Sequence, residues 1–138
     1  FIQKKKLETM NGDIKSLTSL TVEGENFFVD IADDYDQDMY NWMALSLQFR
    51  GNVNVKQVNE IPEWLKKERK VLMIDWQPNG YKISINDKAP VIMDDDDMGY
   101  YDKHVSMIGN HADIAYKMDQ KMARPYDLMY SQRAFVHW

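Results

Sequence analysis

A chain of 138 residues, 44% hydrophobic and 28% charged, has the balance of a single globular domain with enough apolar residues to form a core. A formal net charge of −5, with the cations scattered apart from the run Lys4–Lys6, excludes the basic stripe of a nucleic-acid binder. With no cysteine there is neither a disulfide framework nor a thiolate metal site, and no apolar run approaches the roughly 20 residues that cross a bilayer.

The chain opens on Phe1 rather than Met, as a piece of something longer would. In chain order, "SLTSLTV" before Gly24 and "NFFVDIA" after it read as two strands, the second placing Phe27, Val29 and Ile31 on one face. Alternation is clearest in "WMALSLQFR": Met43, Leu45, Leu47 and Phe49 point one way, and Trp42, Ala44, Ser46, Gln48 and Arg50 the other. "VNVKQV" follows as a neighbouring strand. "EIPEWLKKER" is ambiguous, because Pro62 suits the first turn of a helix yet is also acceptable at a strand edge. "KVLMIDW" and "YKISIND" flank Pro78-Asn79-Gly80, a hairpin signal. "HVSMI" and "ADIAY" form a further pair about Gly109-Asn110. Beyond Lys117 the text turns rich in Met and aromatics, is broken by Pro125, and suits a helix–turn–strand extension. Many short strands separated by turn residues predict an all-β, two-sheet antiparallel sandwich over residues 1–116, with a C-terminal extension over 117–138 packed on or beside it.

The order "ALSLQFR", "VNVKQ", "WLKKER", "YKISIND", "SMIGNHADI" resembles the carbohydrate-recognition domain of galectins. That resemblance implies a jelly-roll sandwich binding an oligosaccharide or glycoprotein on its concave sheet, without cofactor, metal or catalysis, in a cytoplasmic or non-classically secreted protein. Carried over residue by residue, it points to Ser46, Gln48, Arg50, Gln57, Trp64, Lys67 and Arg69. Trp64 would stack on a pyranose face, and the polar side chains would satisfy hydroxyls in fixed directions. Four of these depart from the family pattern: Ser46 replaces its histidine, Gln48 its asparagine, Gln57 the asparagine of the next strand, and Lys67 the glutamate that braces the two arginines. Three cations together favour an altered, acidic glycan or a protein ligand.

Two alternatives stay open from the residues alone. One is a structural or protein-interaction domain in which Trp64 is core. The other is a small acidic inhibitor covering a basic partner with "DIADDYDQD" and the Asp94–Asp97 run. The first acidic stretch fails as an EF-hand, because Met39 stands at its glycine position and Leu45 at its final glutamate. His104, His111 and Asp113 lack the spacing of a metal site. No nucleophile–base order or phosphate-cradling glycine loop is recognisable, so recognition rather than catalysis is expected.

Overall fold

A computed structural model describes residues 13–29, 42–77, 79–95 and 100–138. Its centre is strand β1 (Trp42–Gly51), whose alternation buries Leu45, Leu47 and Phe49 and turns Gln48 and Arg50 to solvent. Strand β2 (Tyr81–Asn86) pairs with β1 in parallel, and strand β3 (Lys103–His111) pairs on its other side antiparallel, giving the order β2-β1-β3.

Two helices cover one face of this sheet. Helix α1 (Ile14–Val22) begins at Asp13, whose carboxylate accepts from the Ser16 N–H. Its threonines, which in sequence suggest a strand, instead return their hydroxyls to the helix: Thr18 Oγ1 donates to the Ile14 carbonyl at 2.8 Å, and Thr21 Oγ1 to that of Thr18 at 2.8 Å. Helix α2 (Val55–Lys67) is capped by Asn54, which accepts from the Lys56 N–H at 2.9 Å, and it closes on Lys66 and Lys67, favourable at the negative end of the helix dipole. Val58, Ile61 and Leu65 recur at helical spacing and are fully buried. α1 packs on β3 and α2, and α2 also reaches β2, where Lys66 Nζ lies 5.5 Å from the centre of the Tyr81 ring. The core joins Ile14, Trp42, Leu45, Leu47, Phe49, Val58, Ile61, Leu65 and Val71.

This is a two-layer α/β domain, not the all-β jelly-roll sandwich expected over residues 1–116. The corrections have specific causes. "SLTSLTV" lies wholly in α1, and "VNVKQV" leads into α2, because tertiary burial of a helical stripe overrides β propensity. Pro62 sits inside α2, so the missing N–H is tolerated within a helix whose Ile61 and Leu65 are anchored in the core. The Asn79-Gly80 step makes no hairpin: β2 joins β1 in parallel, the Gly80 carbonyl accepts from the Leu45 N–H at 2.7 Å, and Met73 makes only an isolated parallel bridge to Trp42. Strand β3 runs straight through Gly109-Asn110. The absent side chain of Gly109 leaves room for the Trp42 ring, which a Cβ there would meet at 3.1 Å or closer. A register shift between Trp42 and Ala44 turns Trp42 into the core rather than outward with Ser46. The reading of "NFFVDIA" falls partly, and that of "DIADDYDQD" wholly, outside the described residues.

After β3 the chain becomes a helical arm: α3 (Asp113–Met118), a π-helical turn (Asp119–Ala123) and α4 (Arg124–Ser131). Pro125 lies near the start of α4, cannot donate backward, and crowds the preceding turn, which the wider π turn accommodates. The arm ends with Arg133 in the left-handed region (φ 51°), its N–H donating to the Tyr130 carbonyl at 2.9 Å, and with the Ala134 N–H donating to that of Met129 at 2.9 Å. The expected helix–turn–strand extension is therefore helical.

Candidate functional site

Two surfaces follow from this architecture. The first is the sheet face opposite the helices. Strand register sets out three rows on it: Lys82–Ser46–Ile108, Ser84–Gln48–Ser106 and Asn86–Arg50–His104. Apart from Ile108 the face is polar, and its cations are Lys82 and Arg50. Arg50 is anchored, its Nε donating to the Lys88 carbonyl at 3.3 Å, while Asn86 accepts from the Lys88 N–H at 3.0 Å. His104 Nε2 lies 2.6 Å from the Tyr101 carbonyl.

The residues singled out from sequence divide between the two sides of the sheet. Ser46, Gln48 and Arg50 share the open face. Gln57 and Lys67 are exposed on α2, across the sheet from them, and Arg69 follows α2 in the left-handed region (φ 53°). Trp64 is a half-buried residue of α2 packed against the core. An indole there cannot serve as a stacking platform beside Ser46, Gln48 and Arg50.

The second surface is the arm. Its contacts run mainly from turn to turn along its own length. Met118, Met122, Tyr126 and Tyr130 recur every four residues, joined by Met129, and all are between 45% and 62% exposed. Tyr126 and Tyr130 stack with ring centres 5.7 Å apart and planes 9° apart. The polar groups satisfy one another elsewhere on the arm, as where Arg124 Nη1 donates to Gln120 Oε1 at 3.0 Å. Phe135 and Trp138 extend the exposed apolar surface past the helix end. Together these side chains form a long apolar stripe left open along the arm. In the sequence its signal was the four-residue spacing of Met and Tyr beyond Lys117, which composition alone did not turn into a site.

The arm joins the body at a buried imidazole. His111 packs edge-on to Trp42 at 4.6 Å, and its Nδ1 accepts from the Asp113 N–H at 3.2 Å. Burial pushes its pKa below the ordinary 6.5, and the Asp113 carboxylate, 3.6 Å away, pulls it part of the way back. Burial also pushes the Tyr81 phenol up to about 12. Among the described residues no group of three His, Asp, Glu or Cys side chains could hold a metal ion, and no helix is long and apolar enough to cross a membrane.

The fold and these two surfaces define a small two-layer α/β domain, an architecture that by itself fixes no function. The model of the family described as Tubulin C-terminal domain matches residues 1–122, and the chain belongs to that family. It is 39% identical over 97 residues to the nucleomorph tubulin alpha chain of Guillardia theta, covering 70% of this chain and 21% of that one. It is 38% identical over 97 residues to the tubulin alpha-2 chain of Eleusine indica, covering 70% and 22%. It is 34% identical over 128 residues to the tubulin alpha-8 chain of Caenorhabditis elegans, covering 91% and 26%. The chain thus spans about a fifth to a quarter of the length of these curated relatives.

This membership overturns the galectin resemblance, and with it the lectin function and the oligosaccharide or glycoprotein partner. The physical cause is visible in the run from Val53 to Arg69, which falls on the galectin pattern without a gap. Most of that run is helix α2, so its residues cannot line the face of a sheet.

Proposed function

We propose that this chain is the assembly domain of a cytoskeletal, α-tubulin-like protein, recognising other tubulin-type chains rather than carrying out a reaction of its own. The observation that carries this is the open stripe Met118, Met122, Tyr126, Met129 and Tyr130 on the arm, an apolar surface about two-thirds of the way to full exposure at its most open position (Met122, 62%). Burying such a stripe against a protein gains about 25 cal/mol per Å² of apolar area, which a docked helix of this length collects from several side chains at once. The similarity to proteins named tubulin alpha chains supplies the partner class. On this reading the segment 117–138 is the part of the domain that meets the partner.

Sedimentation velocity of the chain mixed with purified tubulin heterodimer tests the proposal. The chain is expected to co-migrate with tubulin, and the double substitution Tyr126→Asp, Tyr130→Asp is expected to abolish this while leaving the melting temperature unchanged. A folded wild-type chain that sediments independently of tubulin would sink the reading.

A further inference from the structure

The arm builds its apolar stripe from methionine, where leucine or isoleucine would serve packing equally well. Met118, Met122 and Met129 are 54%, 62% and 45% exposed, whereas Met43, Met73 and Met107 in the body are half-buried. Met118 and Met122 share one side with Tyr126 and Tyr130, because a four-residue step returns to nearly the same azimuth in an α turn and in the wider π turn between them. None of the three belongs to the core, so their chemistry can change without disturbing the fold.

From this we propose that the stripe is a peroxide-responsive modification site, at which conversion of Met118, Met122 and Met129 to the sulfoxide weakens docking by the arm. The proposal rests on the reading of the arm as a docking surface given above. The thioether sulfur attacks one oxygen of hydrogen peroxide, the S–O bond forms as the O–O bond breaks, and the departing hydroxide takes the remaining proton to leave as water. Sulfur is oxidised by two electrons and the peroxide reduced by two. The product is a polar, chiral group in place of a flexible apolar one, and methionine sulfoxide reductases with a thiol reductant reverse it. A sulfoxide oxygen buried at an apolar contact without a donor loses its hydration uncompensated, so docking suffers while the free arm does not.

The test uses the intact chain, dilute hydrogen peroxide, and peptide mass spectrometry that assigns each added oxygen. Sulfoxide is expected at Met118, Met122 and Met129, and at the exposed Met93, well before Met43, Met73 and Met107. At that stage affinity for tubulin heterodimer should fall about tenfold, a change of about 1.4 kcal/mol, with circular dichroism and melting temperature unchanged. Both stereospecific reductases together should restore binding. The triple substitution Met118→Leu, Met122→Leu, Met129→Leu should keep, after peroxide, whatever affinity it has before treatment, and Met93→Leu should leave the peroxide response intact. The proposal is overturned if the arm methionines oxidise no faster than those of the body, if full conversion leaves affinity unchanged, or if the leucine variant loses binding as wild type does. If the untreated chain fails to bind tubulin, the assembly reading falls on its own account. The modification site then stands or falls on the order of oxidation and on whether an apolar dye bound to the arm loses its fluorescence.

Discussion

Leu47 in β1 and Leu128 in α4 are the same residue in regular secondary structure, yet one is fully buried and the other 64% exposed. The body of the domain closes a core of apolar residues between a sheet and two helices, whereas the arm satisfies its backbone and leaves its side chains open. Local structure therefore needs no core, but burial needs a second layer. The body has one within the chain, and the arm has none among the described residues.

Substitutions can break or sharpen that contrast. The largest effect belongs to Phe49, buried at the centre of the sheet: Phe49→Ala should cost about 3–5 kcal/mol in urea unfolding. Next comes Gly51, which ends β1 at φ 97° with Asp102 backbone so close that an added Cβ would lie 2.8 Å from its carbonyl carbon. Gly51→Ala should destabilise by about 1–3 kcal/mol, read from the same curves. Smaller, and dependent on pH, is the effect of His111 at the junction of the two regions. Its folded pKa lies below the 6.5 of the free group, so the unfolded chain binds more protons between those two values. Stability is whole above pH 6.5 and is lost as pH falls below it toward the folded value, and His111→Gln should flatten that slope in melting temperature. The smallest effect is expected on the arm, where Leu128→Ser and Tyr126→Ser should each stay within about 0.5 kcal/mol of wild type. A loss there as large as that of Phe49→Ala would mean the arm packs on the body in solution, and the contrast would collapse.

The same contrast explains what the sequence disclosed. β1 was legible because a central strand covered on one side must alternate, and Leu45, Leu47 and Phe49 do so without interruption. Trp42 broke the rule at a register shift that no residue announces. α1 and α2 were hidden by threonines and valines, whose β preference is weaker than the burial of Ile14, Val58, Ile61 and Leu65 in one core. Gly109 was visible as a glycine, but its use as space for an indole depends on a strand some 60 residues away in the chain. Of the site, Ser46, Gln48 and Arg50 were correctly grouped on one face by period two. Trp64, Lys67 and Arg69 were assigned to that face from a pattern of letters that says nothing of helix or strand. The arm's stripe was present as spacing, but exposure is a property of three-dimensional packing.

The order β2-β1-β3 has a consequence for how the domain is made. Leu45 finds its first strand partner in Tyr81, 36 positions downstream, and its second in Gly109, 64 positions downstream. At a synthesis rate of about 5–20 residues per second, the most apolar strand of the domain spends about 2–7 seconds outside the ribosome's reach of its first partner and longer before its second. Helix α2, whose bonds are all local, can form within that interval and lay Val58, Ile61 and Leu65 over β1. The sheet is assembled from its middle outward, and the last strand to arrive is the one that carries the arm.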